Sequence, residues 1–277
     1  MKKLYSLFAL AALLLSYSCT HVIYFDKKPI DNNTEDKTDS EDNKNDDIVI
    51  IPSNEIWYTS TDRNIVTPNI YGTLITSNTY SNGKGIIKFS GNITTIRFGA
   101  FENCTNLSSV TIPDSVTEIE DYAFRNCESL ESVTIPDSVT LIGIYAFCDC
   151  RSLTSVTIPN SVTSIGDRAF SHCYSLTSVT IGNSVTSIGI SAFYMCNNLT
   201  SVTIPDNVTV IGSSAFYSCD SITSVYCKPT TPPAGGTNMF FSNTTNRKIY
   251  VPRASVDAYK EADGWKDYAD AIEPYDF

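Results

Sequence analysis

The chain has 277 residues and a formal charge of −11, with only 18% charged residues and a marked excess of Ser and Thr. That length suits one large domain or two small ones, and the composition favours strands and turns over helices. The acidic balance argues against a nucleic-acid partner, because phosphates need Lys and Arg to neutralise them. It leaves protein and glycan partners open.

Residues 1–18 read as an export signal. Lys2 and Lys3 give a positive start, and Leu4 to Leu15 is an apolar run too short to cross a membrane as a helix. Small Ser16 and Ser18 precede Cys19. A Cys after a small residue resembles a bacterial lipoprotein cleavage site, which would make Cys19 the acylated N-terminus and the membrane anchor. Ser16 stands where that pattern prefers Leu, so an ordinary cleaved signal with an incidental Cys is the other reading. Residues 19–54 then form the lipidated N-terminus and an acidic tether. Between Asp26 and Asp47 nine acids face four lysines, too little apolar matter to offset chain entropy.

Residues 55–85 mix Trp57, Tyr58, Tyr71 and Tyr80 with Ile and Thr, which suggests a small β cap. Residues 86–228 carry an internal repeat. Leu107, Leu130, Leu153, Leu176, Leu199 and Ile222 are each 23 residues apart. The unit is L-x-S-V-T-I-P-x-S-V-T-x-I-x-x-x-A-F-x-x-C, and a degenerate unit precedes it. Val-Thr-Ile alternates in, out, in, so a short strand buries Val110 and Ile112 and exposes Thr111. Pro113, Pro136, Pro159 and Pro205 end that strand, because Pro has no N–H for a ladder. A second extended piece buries Val116 and Ile119. Gly143, Gly166, Gly189 and Gly212 mark a turn, and Ala-Phe before Cys suggests a short helical turn. One unit cannot bury enough to fold alone; stacked units can. Residues 229–277 read as the other cap: a Pro/Gly loop, a strand from Lys248 to Val251, and a helix from Ser255 to Ala262. Trp265, Tyr268 and Ile272 then cover the last rung.

Nine cysteines in an exported chain ordinarily imply disulfides. Here Cys104, Cys127, Cys150, Cys173, Cys196 and Cys219 share one repeat position, and parallel side chains disfavour the bridge dihedral. Buried thiols are expected, with Cys227 buried as well. Cys148 sits at a variable position and is expected to be exposed, either as a reactive thiol or as an incidental surface cysteine.

No catalytic set, metal set or cofactor motif emerges. A ladder spreads its thiols along a line, whereas zinc needs them around a point. His172 is the one candidate base outside the tether, and Glu118, Glu120 and Asp121 read as a solvated face. Two features could bind a partner. The rows Thr111 to Thr203 and Ser109 to Ser201 make a repetitive hydroxyl face. Variable residues cluster around Ala-Phe: Tyr122, Arg125, Tyr145, Arg168, His172, Tyr174, Tyr194, Met195 and Tyr217, with Cys148 among them. Aromatic and Arg side chains on a rigid scaffold are what interfaces favour.

The unit from Leu107 to Cys127, with the tail Ile249-Tyr-Val-Pro, resembles the BspA-like leucine-rich repeat over about residues 86–227. The resemblance implies a mainly β leucine-rich-repeat solenoid of short parallel strands and short helical turns, capped at both ends. It implies a non-enzymatic cell-surface or secreted protein; joined to the signal and Cys19, the reading is an exported outer-membrane or cell-surface lipoprotein, with a periplasm-facing or secreted one as the other placement. The implied role is binding of a host or bacterial surface protein or glycan, chiefly in adhesion. A structural or envelope-assembly scaffold without a dedicated ligand is the alternative. The family carries no catalytic residues to transfer, and no cofactor.

Overall fold

The structure is a computed structural model describing residues 51–69 and 74–277. The signal sequence, Cys19, the tether up to residue 50 and Tyr71 lie outside the described residues.

Each 23-residue coil contributes two short strands; the second pairs in parallel with the coils on either side, and the first pairs in parallel with a neighbouring coil. Register is strict: Val156 faces Val179 and Thr157 faces Thr180, while Ser164 faces Ser187 and Ile165 faces Ile188. The second strands have two residues each, from Thr95–Ile96 to Ala234–Gly235, and form one continuous seven-stranded sheet. In every one from Thr95–Ile96 to Val210–Ile211 the Ile is buried. The first strands are longer but do not make a single sheet. They group as Leu107–Thr111 with Ser132–Thr134, Ser155–Ile158 with Ser178–Ile181, and Ser201–Ile204 with Ser224–Cys227 and beyond. The repeated Ser and Thr of the second S-V-T are internal ties. Ser115 Oγ donates to Ile93 O at 2.6 Å and Thr117 Oγ1 to Thr94 O at 3.2 Å, one coil back.

Phenylalanine fills the centre. Phe101, Phe124, Phe147, Phe170, Phe193 and Phe216 stack with centroids 5.0–5.4 Å apart and ring planes within 6°. All are fully buried, so the repeat's apolar periodicity becomes one continuous core. The column has a seventh member that the 23-residue spacing misses. Phe240 lies 5.4 Å from Phe216, and Ala234–Gly235 extends the sheet. The Pro/Gly loop before it adds one residue to the spacing, which hides this coil in the sequence.

The Ala-Phe-x-x-Cys segment is a series of turns, not a helical turn. Two residues per coil are left-handed: Tyr122 and Asn126, Tyr145 and Asp149, Arg168 and His172, Ser191 and Met195, Ser214 and Ser218, at φ between 51° and 61°. A right-handed helix would turn every N–H back along its own coil. Here the left-handed residues send theirs to the next coil: Tyr145 N donates to Asp167 O at 2.9 Å and Asp149 N to Ser171 O at 2.9 Å. Those ladder bonds offset the steric cost of φ > 0 in non-glycine residues. The glycines of the repeat serve close approach. A Cβ on Gly166 would stand 2.5 Å from the carbonyl of Gly143.

The thiol reading holds for Cys127, Cys150, Cys173, Cys196, Cys219 and Cys227, which are free and buried. Cys104 keeps the register but is not one of the free thiols. It ends the column, with the Thr67 carbonyl at 3.9 Å from its Sγ in place of a repeat carbonyl. Cys148 contradicts the expectation of exposure: it is only 3% accessible. Its position lies between Arg125 on one coil and Ser171 on the next, and all three line one groove.

At the N-terminal end, β1 (Glu55–Ser60), β2 (Ile75–Ser81) and β3 (Lys84–Phe89) form an antiparallel sheet. β1 continues it onto Leu107–Thr111, pairing Tyr58 with Val110, and so covers an otherwise open edge. At the other end, Lys248–Pro252 and Ile272–Tyr275 add two parallel strands. Between them α1 (Val256–Glu261) starts at Ser255, whose hydroxyl donates to Thr230 O at 2.7 Å and does not cap the helix. Trp265 is fully buried, and Tyr268 packs edge-on against Phe240 at 5.6 Å. Among the described residues no helix is long and apolar enough to cross a membrane.

Candidate functional site

The left-handed turns bring the variable residues to one edge and hold them in columns. Tyr122 and Tyr145 stack at 5.1 Å and 15°, and Phe98 packs against Tyr122 at 5.1 Å with its ring tilted by 47°. Arg125 lies over both tyrosines, 5.4 and 5.7 Å from the ring centres, and pairs with Glu102 at 3.2 Å. Arg168 sits over Tyr145 at 5.3 Å, with its Nη1 hydrogen-bonded to the tyrosine hydroxyl. This is a layered arrangement of π faces and guanidinium planes.

A second stack lies further along the edge. Tyr194 and Tyr217 pack at 5.1 Å and 14°, and Phe241 follows at 5.7 Å. His172 meets Tyr174 and Tyr194 edge-on at 5.7 and 5.5 Å. Met195 is left-handed and half-buried, and its N–H bonds Tyr217 O at 2.8 Å. Between the stacks is an open groove of about 580 Å³. Arg125, Tyr145, Arg168, His172 and Tyr194 line it from the predicted set, and Cys148 and Asp149 reach it from below. Tyr122, Tyr174, Met195 and Tyr217 flank the groove.

Burial pushes the Cys148 thiol up to about 12, and the Asp149 carboxylate adds to the shift, while Arg125 and Arg168 oppose it. A thiol so placed is protonated at neutral pH and is a poor nucleophile. Of the carboxylates named in the sequence, Glu118 is exposed, while Glu120 and Asp121 are structural. Glu120 accepts from Phe98 N at 2.8 Å and Asp121 from Ile144 N at 2.7 Å. Both bind backbone on a neighbouring coil, which leaves no convergent acid pair there.

Sequence reasoning passed over Phe98, Phe241, Asp149 and Ser171. Phe98 and Phe241 lie outside the full repeats, and Asp149 shares its register position with Asn126, which is common in turns. The hydroxyl rows are solvent-facing at Thr134, Thr157, Thr180 and Thr203, whereas Thr111 pairs with Trp57 of β1.

The profile of the BspA type leucine rich repeat region matches residues 73–184 and 117–248, in six copies. The chain belongs to this family. Membership accounts for the mainly β parallel solenoid and the scarcity of helix. Among solved structures, the T. pallidum leucine rich repeat protein is 28% identical, covering 60% of this chain and 85% of that one, with a TM-score of 0.49. A leucine rich cell surface protein from Faecalibacterium prausnitzii is 26% identical, covering 77% and 73%, with a TM-score of 0.43. The pneumococcal vaccine antigen PcpA is 17% identical, covering 62% and 57%, with a TM-score of 0.38. No curated protein matches the chain.

Proposed function

We propose that this chain is an exported, non-enzymatic binding module that takes a protein or glycan partner on its aromatic–arginine edge, in adhesion at the cell envelope. The observation that carries the reading is the two aromatic stacks, the first layered with Arg125 and Arg168, flanking one open groove on a rigid repeat scaffold. Such side chains lose little entropy on binding, since neighbouring coils already hold them. Aromatic faces beside Arg donors suit a sugar ring or a protein surface equally well. The signal-like start and the acidic segment before the repeats support an exported protein held off a membrane, with Cys19 as the acylated anchor. Mass spectrometry of the mature N-terminus tests the anchor: an acylated Cys19 is expected, and an unmodified chain beginning elsewhere contradicts it.

The binding claim is tested with the full chain against glycan arrays and surface-protein preparations. A triple variant, Tyr145→Ala, Arg168→Ala, Tyr194→Ala, should lose at least tenfold in affinity while keeping its circular dichroism. Equal binding by both forms removes the edge as the site. The absence of any saturable partner, together with envelope defects on deletion, favours the structural scaffold.

A further inference from the structure

Cys148 and Asp149 are consecutive on one coil, and His172 stands 23 residues after Asp149, at the same register position on the next. One sulfur, one carboxylate oxygen and one imidazole nitrogen from these residues all lie within 4.8 Å of one another. Tetrahedral zinc, with bonds of about 2.0–2.3 Å, sets its ligand atoms roughly 3.3–3.6 Å apart. The Cys148 Sγ to Asp149 Oδ2 distance is already 3.4 Å, and the imidazole nitrogen stands within 4.8 Å of both. We propose that Cys148, Asp149 and His172 bind one divalent transition-metal ion of the zinc type, with a fourth position open to the groove.

The donors are pre-oriented. Asp149 and His172 are both left-handed, at φ 59° and 61°, and their N–H groups are tied to Ser171 O and Tyr194 O on the following coils. Arg151 holds the other Asp149 oxygen, Oδ1, at 3.2 and 3.3 Å. Ser171 Oγ lies 3.0 Å from His172 Nδ1, and Tyr174 and Tyr194 brace the ring. Outer contacts of this kind tune and stiffen metal sites. Thiolate with imidazole selects a borderline-soft ion over magnesium or calcium, which prefer all-oxygen sites. One thiolate and one carboxylate cancel the charge of a divalent ion, so Arg125 and Arg168 nearby face a neutral centre. On binding, the Cys148 S–H bond breaks, its electron pair goes to the metal and its proton to solvent; no oxidation occurs. The combination occurs once in the register. The coil before carries Arg125 and Asn126 there, and the coil after His172 carries Tyr194 and Met195. The site does not depend on the adhesion reading.

The test uses the full chain, stripped with a chelator and titrated anaerobically with cobalt(II) and then zinc. Cobalt(II) reports thiolate ligation by a near-ultraviolet charge-transfer band. Three variants borrow residues from equivalent positions on other coils, which protects the fold: Cys148→Ser as at Ser171, Asp149→Asn as at Asn126, and His172→Asn as at Asn126. One equivalent should bind with the band present. The band should vanish in Cys148→Ser, and affinity should fall at least tenfold in the other two, with unchanged circular dichroism. No band, a band that survives Cys148→Ser, or wild-type affinity in both other variants overturns the proposal.

Discussion

The Cys150 thiol donates to the Phe124 carbonyl, one coil back, at 3.3 Å. The same bond joins Cys127 to Phe101, Cys173 to Phe147, Cys196 to Phe170 and Cys219 to Phe193, at 3.0–3.3 Å. A side chain at this position must be small, apolar and able to satisfy a buried carbonyl, and Cys meets all three needs. The thiol column therefore ties the phenylalanine column of one coil to the next.

Removing one ring from that column should leave a hole that rigid neighbours cannot close. Phe147→Ala is expected to cost about 3–5 kcal/mol, because Phe124 and Phe170 are held by their own backbone ladders at 5.1 and 5.2 Å from its ring. Denaturant unfolding of the variant checks this; a loss below about 1 kcal/mol would mean that the column relaxes.

Stability should fall steeply in alkali. Burial raises the thiols of Cys127, Cys150, Cys173, Cys196 and Cys227 above their ordinary value of 9.0. Their contribution is fully present below pH 9 and is lost as pH rises, since the unfolded chain ionises first. Each thiol then costs about 1.4 kcal/mol per pH unit, or roughly 7 for the five. Unfolding midpoints from about pH 8 to about pH 11 should drop sharply above pH 9, and less so in Cys150→Ala. A flat profile contradicts the burial of the thiols.

The left-handed turns make a third expectation. Ser218 has φ 51°, at the register position where Asn103 and Asn126 have φ 62° and 57°. Asn tolerates this conformation better than Ser, so Ser218→Asn should gain about 0.5–1 kcal/mol. Asn126→Ala should lose about 1–3 kcal/mol, since it also breaks the 2.7 Å bond from Asn126 Nδ2 to Asn103. Thermal melts of the pair decide it, and shifts of the opposite sign would refute the backbone argument.

The apolar repeat was readable because Phe, Val and Ile recur at fixed spacing and only one stacking satisfies them all. The return segment was not. Tyr122, Arg168 and Met195 have no intrinsic preference for φ > 0; it is imposed by hydrogen bonds to coils 23 residues away, so no local pattern announces it. For the same reason Cys148 looked exposed: its cover comes from neighbouring coils, not from its own. The edge residues were recognisable by their chemistry, but their sorting into two stacks around a groove depends on which coil carries which side chain.

The stacking itself can be measured in solution. Thr134 and Thr203 are exposed on first strands and occupy the same register position, three coils apart. Spin labels placed there should report a narrow distribution corresponding to a backbone separation of about 14 Å, three strand spacings of about 4.8 Å. A broad distribution centred well beyond about 25 Å, which three strand spacings cannot reach, would show that the coils do not pile in register.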